Sequence, residues 1–291
     1  MRTQDERQLS RRRLLSGLTL AGTAGLLGLH PRPIAAEPPP EITTLRLTRI
    51  PTICAAPQYV AEALLQSEGF TEVSYVTMES GAGVGKALAS GTADLAILGA
   101  DVLTPLMDGA QRVVVLAGIH VGCYELFGHA PVRSIRDLKG QTLAVPALGS
   151  GRHLFLAILA TSIGLDPRSD IHWLERPTAE AMQLFAEGQL AAFLGFPPEP
   201  QELRAKQIGS VVLNTAVDRP WSQYFCCMFA GNREFIHKHP VATKRALRAI
   251  LKATDMCAAE SERVARFLVD KGYTAHYDFA LQALRELPYT R

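Results

Sequence analysis

A glycine- and serine-rich turn, Pro146-Ala147-Leu148-Gly149-Ser150-Gly151-Arg152-His153, separates two apolar segments of the chain. The segment before it, Thr142-Leu143-Ala144-Val145, has the composition of a buried strand, and residues 154–162 after it form an apolar run long enough for a helix. This order places free backbone N–H groups and a basic side chain at the positive end of a helix. The sequence therefore predicts a pocket that attracts an acidic or electron-rich group.

The order of strand, polar turn and helix occurs three times in each half of the chain. The predicted strands are residues 45–50, 73–78, 93–98, 142–145, 171–175 and 190–194. Matched landmarks have nearly constant separations, which are 95 residues for Pro51 and Pro146, 97 for Gly91 and Gly188, and 96 for Gly99 and Gly195. This regularity predicts two similar lobes, with a chance likeness of two βα units as the alternative.

Each predicted lobe is an α/β sheet that collects its turns at the edge where such folds bind ligands. Two facing edges form a cleft, so we expect an α/β fold with a cleft between two mixed-sheet lobes. The expected division is residues 42–122 plus 229–291 for lobe one and 123–228 for lobe two. Two apolar stretches outside the repeated units, residues 119–127 and 224–230, are the candidate hinges.

The region after the second hinge is predicted to be helical from residue 232 to residue 287. His239-Pro240 marks a break, and Gly272 is expected to cap a helix. Residues 241–258 are amphipathic, so we expect this helix to pack back on lobe one.

The first 36 residues have the features of an export signal. Ser10-Arg11-Arg12-Arg13-Leu14-Leu15 precedes an apolar segment, residues 18–29, that is too short to span a bilayer comfortably. The consecutive arginines and leucines resemble a twin-arginine signal, with a Sec signal as the alternative. We predict cleavage after Ala36 and a mature periplasmic chain without stable membrane insertion.

Charge argues against a nucleic-acid-binding protein. The 291-residue chain has a formal charge of +2, and residues 1–36 hold six arginines and two acidic residues. Removing that net +4 from the formal +2 leaves −2 for the remainder, which gives no electrostatic case for a nucleic-acid partner.

The number and spacing of the cysteines argue against a disulfide framework and against a zinc site. The five cysteines show no C-x-x-C spacing, so we predict neither a disulfide framework nor a zinc site and expect buried free thiols; they are Cys54, Cys123, Cys226, Cys227 and Cys257. No Ser-His-Asp order, paired-carboxylate motif or phosphate loop is found. We therefore predict no catalytic activity, no cofactor and no metal.

Two segments carry a family resemblance. They are Gly91-Thr92-Ala93-Asp94-Leu95-Ala96-Ile97-Leu98-Gly99 and Ser134-Ile135-Arg136-Asp137-Leu138-Lys139-Gly140. With the two-lobe order, they resemble periplasmic solute-binding proteins of ATP-driven importers, in the group that serves sulfonates, taurine, nitrate and thiamine-precursor pyrimidines. The resemblance covers about residues 42–291.

The resemblance implies the two-lobed periplasmic-binding-protein type II fold and a role in import. Its implied partners are a small-molecule ligand and the membrane permease of an ABC importer, and we expect a monomer. Proteins of this group usually continue for several more short elements, so the ending Leu287-Pro288-Tyr289-Thr290-Arg291 suggests a truncated C-terminus.

The turns that face the predicted cleft supply the candidate ligand-binding residues. They are Ala56, Pro57, Gln58, Glu79, Gly81, Ala100, Asp101, Ser150, Gly151, Arg152, Phe196, Trp221 and Tyr224. Arg152 suits a negative group, and Glu79 suits an amino or ring N–H group. Helix capping is the alternative role for Glu79 and Asp101, and core packing is the alternative for the aromatic residues.

These two poles predict a bipolar ligand, either taurine- or sulfonate-like or aminopyrimidine-like. The main hypothesis is a receptor that delivers this ligand to an importer. The alternatives are a periplasmic sensor and a thiamine-pyrimidine synthase-like enzyme, which shares the fold and carries a cysteine-rich run near the position of Cys226-Cys227. Adjacent residues of a strand point to opposite faces, so these two thiolates cannot ligate one metal without distortion.

Overall fold

A computed structural model describes residues 37–50, 52–78, 80–107 and 112–289 of the chain. The export signal, its cleavage after Ala36 and the candidate residue Glu79 lie outside these residues. Among the described residues, no helix combines the length and the apolar composition needed to cross a membrane.

Strands and helices alternate through most of the described chain. The strands are β1 (Thr44–Arg49), β2 (Glu72–Thr77), β3 (Leu95–Gly99), β4 (Val113–Val121), β5 (Glu125–Gly128), β6 (Thr142–Val145), β7 (His172–Glu175), β8 (Ala192–Gly195), β9 (Ser210–Asn214) and β10 (Phe225–Asn232). The α-helices are α1 (Ala56–Val60), α2 (Glu62–Ser67), α3 (Gly81–Ser90), α4 (Ala100–Met107), α5 (Gly151–Ser162), α6 (Thr178–Ala186), α7 (Glu199–Ala205), α8 (Arg233–Lys238), α9 (Pro240–Ala259), α10 (Ser261–Asp270) and α11 (Tyr277–Glu286). Short 3-10 helices cover Ile135–Leu138 and Trp221–Gln223.

The strand pairing repeats between the two halves of the molecule. One sheet has the order β2-β1-β3-β10-β4, in which β1 is parallel to β2 and β3 while β10 is antiparallel to β3 and β4. In the second half, β6 and β7 form a parallel pair, and β5 lies antiparallel between β8 and β9. The repeat predicted from the sequence is therefore present in these pairings, except that β6 and β8 lie in separate sheets whereas β1 pairs with β3. The lobe boundaries at residues 122/123 and 228/229 stay a prediction.

The landmarks of the repeat behave as the sequence predicts. β6 covers the four predicted residues, and α5 follows with Ser150 as its N-cap, since the Ser150 hydroxyl oxygen accepts a hydrogen bond from the His153 N–H at 3.4 Å. Gly91 and Gly188 follow α3 and α6 with φ of 75° and 74°. This left-handed conformation favours glycine, which explains why both helices end there.

The structure differs from the predicted elements in three places. β4 and β9 are not among the predicted strands, because the nine residues of β4 form an almost continuous apolar run without the alternation of a half-buried strand. The candidate hinges contain the end of β4, most of β5 and most of β10, which are paired strands rather than irregular linkers. The apolar spacing of residues 59–67 predicts one helix, but the helix is interrupted at Ala61, so that these residues form the end of α1 and all of α2.

The C-terminal helices complete the half that contains the five-stranded sheet. α9 packs against α1, α2 and β4, as predicted for residues 241–258. Its first turn is capped from a distance, because the Glu41 carboxylate accepts hydrogen bonds from the Val241 N–H at 2.9 Å and the Ala242 N–H at 2.8 Å.

Candidate functional site

The starts of α4 and α5 come together at one point of the molecule. Each helix follows the carboxyl end of a strand, α4 after β3 and α5 after β6, which is the edge where α/β folds bind ligands. Asp101, in the first turn of α4, lies against Gly151, the first residue of α5. A Cβ atom at Gly151 would overlap the Asp101 carboxylate, so this close approach requires glycine.

Asp101 is held by a hydrogen bond from the segment that joins β4 to β5. The Tyr124 hydroxyl donates to Asp101 Oδ2 at 2.8 Å. Burial raises the pKa of Asp101 above its usual range, although this hydrogen bond, nearby backbone N–H groups and the Arg152 charge lower it in part. The Asp101 carboxylate therefore lies in a partly desolvated environment, where a further hydrogen-bond donor would stabilise its charged form.

Arg152 is not the open anion-binding group that the sequence predicts. Its guanidinium donates to both carboxylate oxygens of Glu199, at 2.8 and 2.7 Å, and to the Leu194 carbonyl oxygen. It also stacks over the Phe196 ring, 4.3 Å from the ring centre. Burial lowers the pKa of Arg152, but the Glu199 charge and hydrogen bonds raise it by more. Glu199, at the start of α7, thus neutralises the guanidinium, and the role of Arg152 in holding an acidic ligand group stays a prediction.

The remaining groups of the turn before α5 are also largely engaged. The Leu148 N–H donates to a Glu175 carboxylate oxygen at 3.2 Å, and the Gly149 N–H donates to His153 Nδ1 at 3.0 Å. The helix start itself faces the Asp101 carboxylate. Asp101, Glu175 and Glu199 bring three negative charges and Arg152 one positive charge, so the charges around this point sum to −2 and favour a hydrogen-bond donor or a cation over a free anion.

Aromatic rings line the place where Asp101 and Arg152 meet. Tyr124 stacks on Phe155 with ring centres 4.9 Å apart and contacts the edge of Phe196 at 5.9 Å, while Trp221 contacts Phe155 edge to face at 5.5 Å. Phe196 and Trp221 are predicted site residues, whereas the sequence analysis missed Tyr124 and Phe155. Tyr124 lies within the apolar stretch predicted as a hinge, and Phe155 lies one helical turn after Gly151, which is the signal that indicates a common face.

A groove of about 790 Å³ opens at Asp101 between α4 and α5. Its other lining residues are Thr104, Pro105, Met107, Leu154, Ala157, Ile158, Thr161 and Ser162. The groove is mostly apolar and has its acidic group at one end, which is the lining expected for a small molecule with one polar pole.

The other predicted residues are placed differently. Ala56, Pro57 and Gln58 are buried in the core, where the Gln58 amide accepts from the Ile97 N–H at 2.8 Å and donates to the Thr48 carbonyl oxygen. Gln58 thus joins β1 to β3, and ligand binding by these three residues stays a prediction.

Three predicted residues lie at helix starts, and one is exposed. Gly81 begins α3 and approaches Val102, Ala100 begins α4, and Ser150 caps α5. The Tyr224 side chain is 63% exposed, and among the described residues no ring contact joins it to the aromatic cluster.

Two of the five cysteines form a disulfide, which corrects the prediction of free thiols. Cys123 follows β4 and Cys226 lies on β10, the antiparallel neighbour of β4, with their Cα atoms 6.2 Å apart. They are 103 residues apart in the chain, so sequence spacing gives no sign of the pairing. Cys54, Cys227 and Cys257 are buried free thiols, as predicted.

The prediction that the adjacent cysteines point to opposite faces of β10 is wrong. Cys226 is bonded to Cys123, and the Cys227 sulfur lies within 4.8 Å of both of these sulfur atoms and also beside Cys54. The pairing register of β10 shifts between Phe225 and Cys227, and this irregularity breaks the alternation of a regular strand.

The architecture is a two-lobed periplasmic-binding-protein type II fold with a cleft between mixed-sheet lobes. The chain belongs to the NMT1-like family, whose sequence model matches residues 38–268.

Solved structures share this fold at low sequence identity. The alkanesulfonate-binding protein SsuA of Xanthomonas axonopodis pv. citri, bound to MOPS, has a TM-score of 0.69 and 20% identity over 87% of this chain and 86% of its own. The aliphatic sulphonate-binding protein SsuA of Escherichia coli has a TM-score of 0.72 and 18% identity, over 86% and 81%. The nitrate-binding protein NrtA of Synechocystis PCC 6803 has a TM-score of 0.70 and 18% identity, over 85% and 71%.

A curated relative matches a shorter region. The bicarbonate-binding protein CmpA of Synechococcus elongatus is 28% identical over 100 residues, which are 34% of this chain and 22% of the relative. The match thus spans about a fifth of the relative's length.

Proposed function

We propose that the protein is the extracytoplasmic substrate-binding component of an ABC-type importer. The observation that carries the proposal is the meeting of Asp101, on the helix that follows β3, with Tyr124 and Gly151 of the other half, among aromatic rings. A ligand bound there contacts both halves of the molecule, and contacts of this kind favour a closed form. The family, the fold and the names of the similar binding proteins support the proposal.

The proposed ligand is a small bipolar molecule with an amino or ring N–H group at Asp101. The buried carboxylate accepts such a donor, and the stacked rings of Tyr124 and Phe155 with the edge of Phe196 suit a compact or planar body. Taurine-like and aminopyrimidine-like molecules meet this description. Nitrate does not, because it has no donor pole and would meet a carboxylate at the start of α5.

The proposed partner, cellular location and mode of binding follow from this role. We propose that a membrane permease is the partner that receives the ligand, that the monomer works in the periplasm after export by residues 1–36, and that the ligand is bound without chemical turnover.

Replacing Asp101 with asparagine tests the ligand assignment. A hydrogen bond to a charged group contributes about 1.5–3 kcal/mol, so we expect the affinity for an amine-bearing ligand to fall about 10- to 150-fold. Titration calorimetry measures this change. The matched control is Asp278→Asn, which removes an exposed carboxylate from the first turn of α11. Equal affinity of the Asp101 variant and the wild type would remove this residue from the site.

The same substitution should raise the free energy of unfolding at pH 7. The pKa of Asp101 is raised in the folded state, so the folded chain holds its proton more tightly than the unfolded chain, and stability decreases as the pH rises through that interval. Asparagine does not ionise, so the variant does not lose this stability as the pH rises. The difference in the free energy of unfolding between the variant and the wild type should disappear as the pH falls below the usual carboxyl range. Urea unfolding across pH provides the measurement.

A further inference from the structure

Three potential metal ligands lie together in the core beside the disulfide. Cys54 follows β1, His120 lies on β4 and Cys227 lies on β10, and their ligand atoms are all within 4.8 Å of one another. His120 and Cys227 are partners in the antiparallel register of β4 and β10, so their side chains share a face of the sheet. The arrangement is built by three separate chain segments, which no spacing motif reveals.

One imidazole nitrogen of His120, Nε2, has no hydrogen-bond partner. The side chain is fully buried, and Nδ1 lies 3.2 Å from the Val121 carbonyl oxygen. In the tautomer protonated at Nδ1, this N–H donates to that oxygen and Nε2 carries the lone pair. Metal-binding histidines are usually oriented in this way, with the second ring nitrogen bonded to a carbonyl group.

A second buried polar atom beside the cluster is also unsatisfied. The Tyr289 hydroxyl is buried and has no hydrogen-bond partner, and its ring contacts the His120 ring edge to face at 5.2 Å between centres. Buried polar groups are usually hydrogen-bonded, and an unpartnered imidazole nitrogen beside two thiols points to a bound ion.

We propose that Cys54, His120 and Cys227 bind one Zn²⁺ ion. Two thiolates and a neutral imidazole are ligands that zinc prefers. On binding, each cysteine gives up its thiol proton to solvent, two Zn–S bonds form, and the charge of the ion is cancelled by the two thiolates. A monovalent ion such as Cu⁺ would leave a net negative charge in the core, which is unfavourable.

The zinc site would connect the loop after β1 to strands β4 and β10. β4 leads to Tyr124, whose hydroxyl holds Asp101. A bound ion would therefore hold the end of β4 in place and, through it, Tyr124 at the candidate ligand site.

Zinc titration of the chelator-treated full chain, with its disulfide intact, tests the proposal. We expect one zinc ion per chain after gel filtration, measured by elemental mass spectrometry, and a higher midpoint of thermal unfolding with ZnCl₂. Cys54→Ser, Cys227→Ser and His120→Gln should each weaken zinc binding at least tenfold. Cys257→Ser is the matched control, since Cys257 is an equally buried free cysteine on α9 outside the cluster, and should retain one ion.

Cobalt provides a second measurement that needs no variant. Wild-type protein loaded with Co²⁺ should show thiolate-to-cobalt charge-transfer absorption, so the test holds even if a variant fails to fold. Three outcomes would overturn the proposal: wild-type protein with three titratable thiols that retains no zinc, undiminished zinc binding by the Cys54→Ser/Cys227→Ser double variant, or a Cys54–Cys227 disulfide in the native protein by peptide mapping.

Discussion

Replacing Arg152 with methionine is expected to lower the free energy of unfolding by about 3–5 kcal/mol. The Arg152 and Glu199 side chains are only 8% and 18% exposed, so the substitution leaves a carboxylate without its partner in a largely desolvated place. It also removes the donor to the Leu194 carbonyl oxygen and the stacking on Phe196. Urea unfolding followed by circular dichroism measures the loss.

Two comparison variants separate this effect from a general loss of charge. Arg168→Met breaks an ion pair with Asp166 whose side chains are 91% and 48% exposed, and should cost less than about 1 kcal/mol. Adding Glu199→Gln to Arg152→Met should recover part of the stability, because it removes the unpaired charge. A loss below about 1 kcal/mol for Arg152→Met would show that the ion pair is not buried as described.

Removing the Cys123–Cys226 bond is expected to lower the free energy of unfolding by about 2–5 kcal/mol. The bond joins segments 103 residues apart, and a crosslink over a loop of that length strongly restricts the unfolded chain. The double variant Cys123→Ala/Cys226→Ala should show this loss in urea unfolding.

A reductant provides the control for the disulfide. Dithiothreitol should destabilise the wild-type protein by a similar amount and leave the double variant unchanged. Wild-type stability that does not respond to complete reduction of the bond, verified by thiol titration, would contradict this prediction.

Local features of the fold could be predicted from the sequence because they depend on nearby residues. The strand Thr142–Val145, the N-cap Ser150 and the helix-ending glycines Gly91 and Gly188 need only the chain within a few positions. β4 could not be predicted in this way, since it is an almost continuous apolar run without alternation and its pairing with β10 joins residues 104 to 119 positions apart.

The chemistry of the candidate site depended on pairings that no local pattern contains. Arg152 and Glu199 are 47 residues apart, and Asp101 and Tyr124 are 23 residues apart. The sequence predicts which turns supply the site, but charge neutralisation by Glu199 reverses the expected preference at Arg152. A helix start with a nearby arginine thus indicates an anion site only when the arginine has no carboxylate partner.

The site therefore differs in charge from what the names of similar proteins suggest. Those proteins are named for binding sulfonates, nitrate or bicarbonate. Here a carboxylate occupies the position at the start of α5 where the sequence predicts a bound anion. If the ligand binds here as proposed, a donor group on it can reach Asp101 without a rearrangement of the Tyr124 hydrogen bond.

Equilibrium dialysis tests most directly the claim that the protein binds an amine-bearing solute without changing it. The full chain is dialysed against taurine, an aliphatic sulfonate without an amino group, a 4-aminopyrimidine, nitrate and bicarbonate. Mass spectrometry then identifies each solute on both sides of the membrane. We predict retention of an amine-bearing solute at one molecule per chain, its recovery with unchanged mass, and little retention of nitrate. Tight retention of nitrate without retention of any amine-bearing solute, or recovery of a chemically altered solute, would contradict the account.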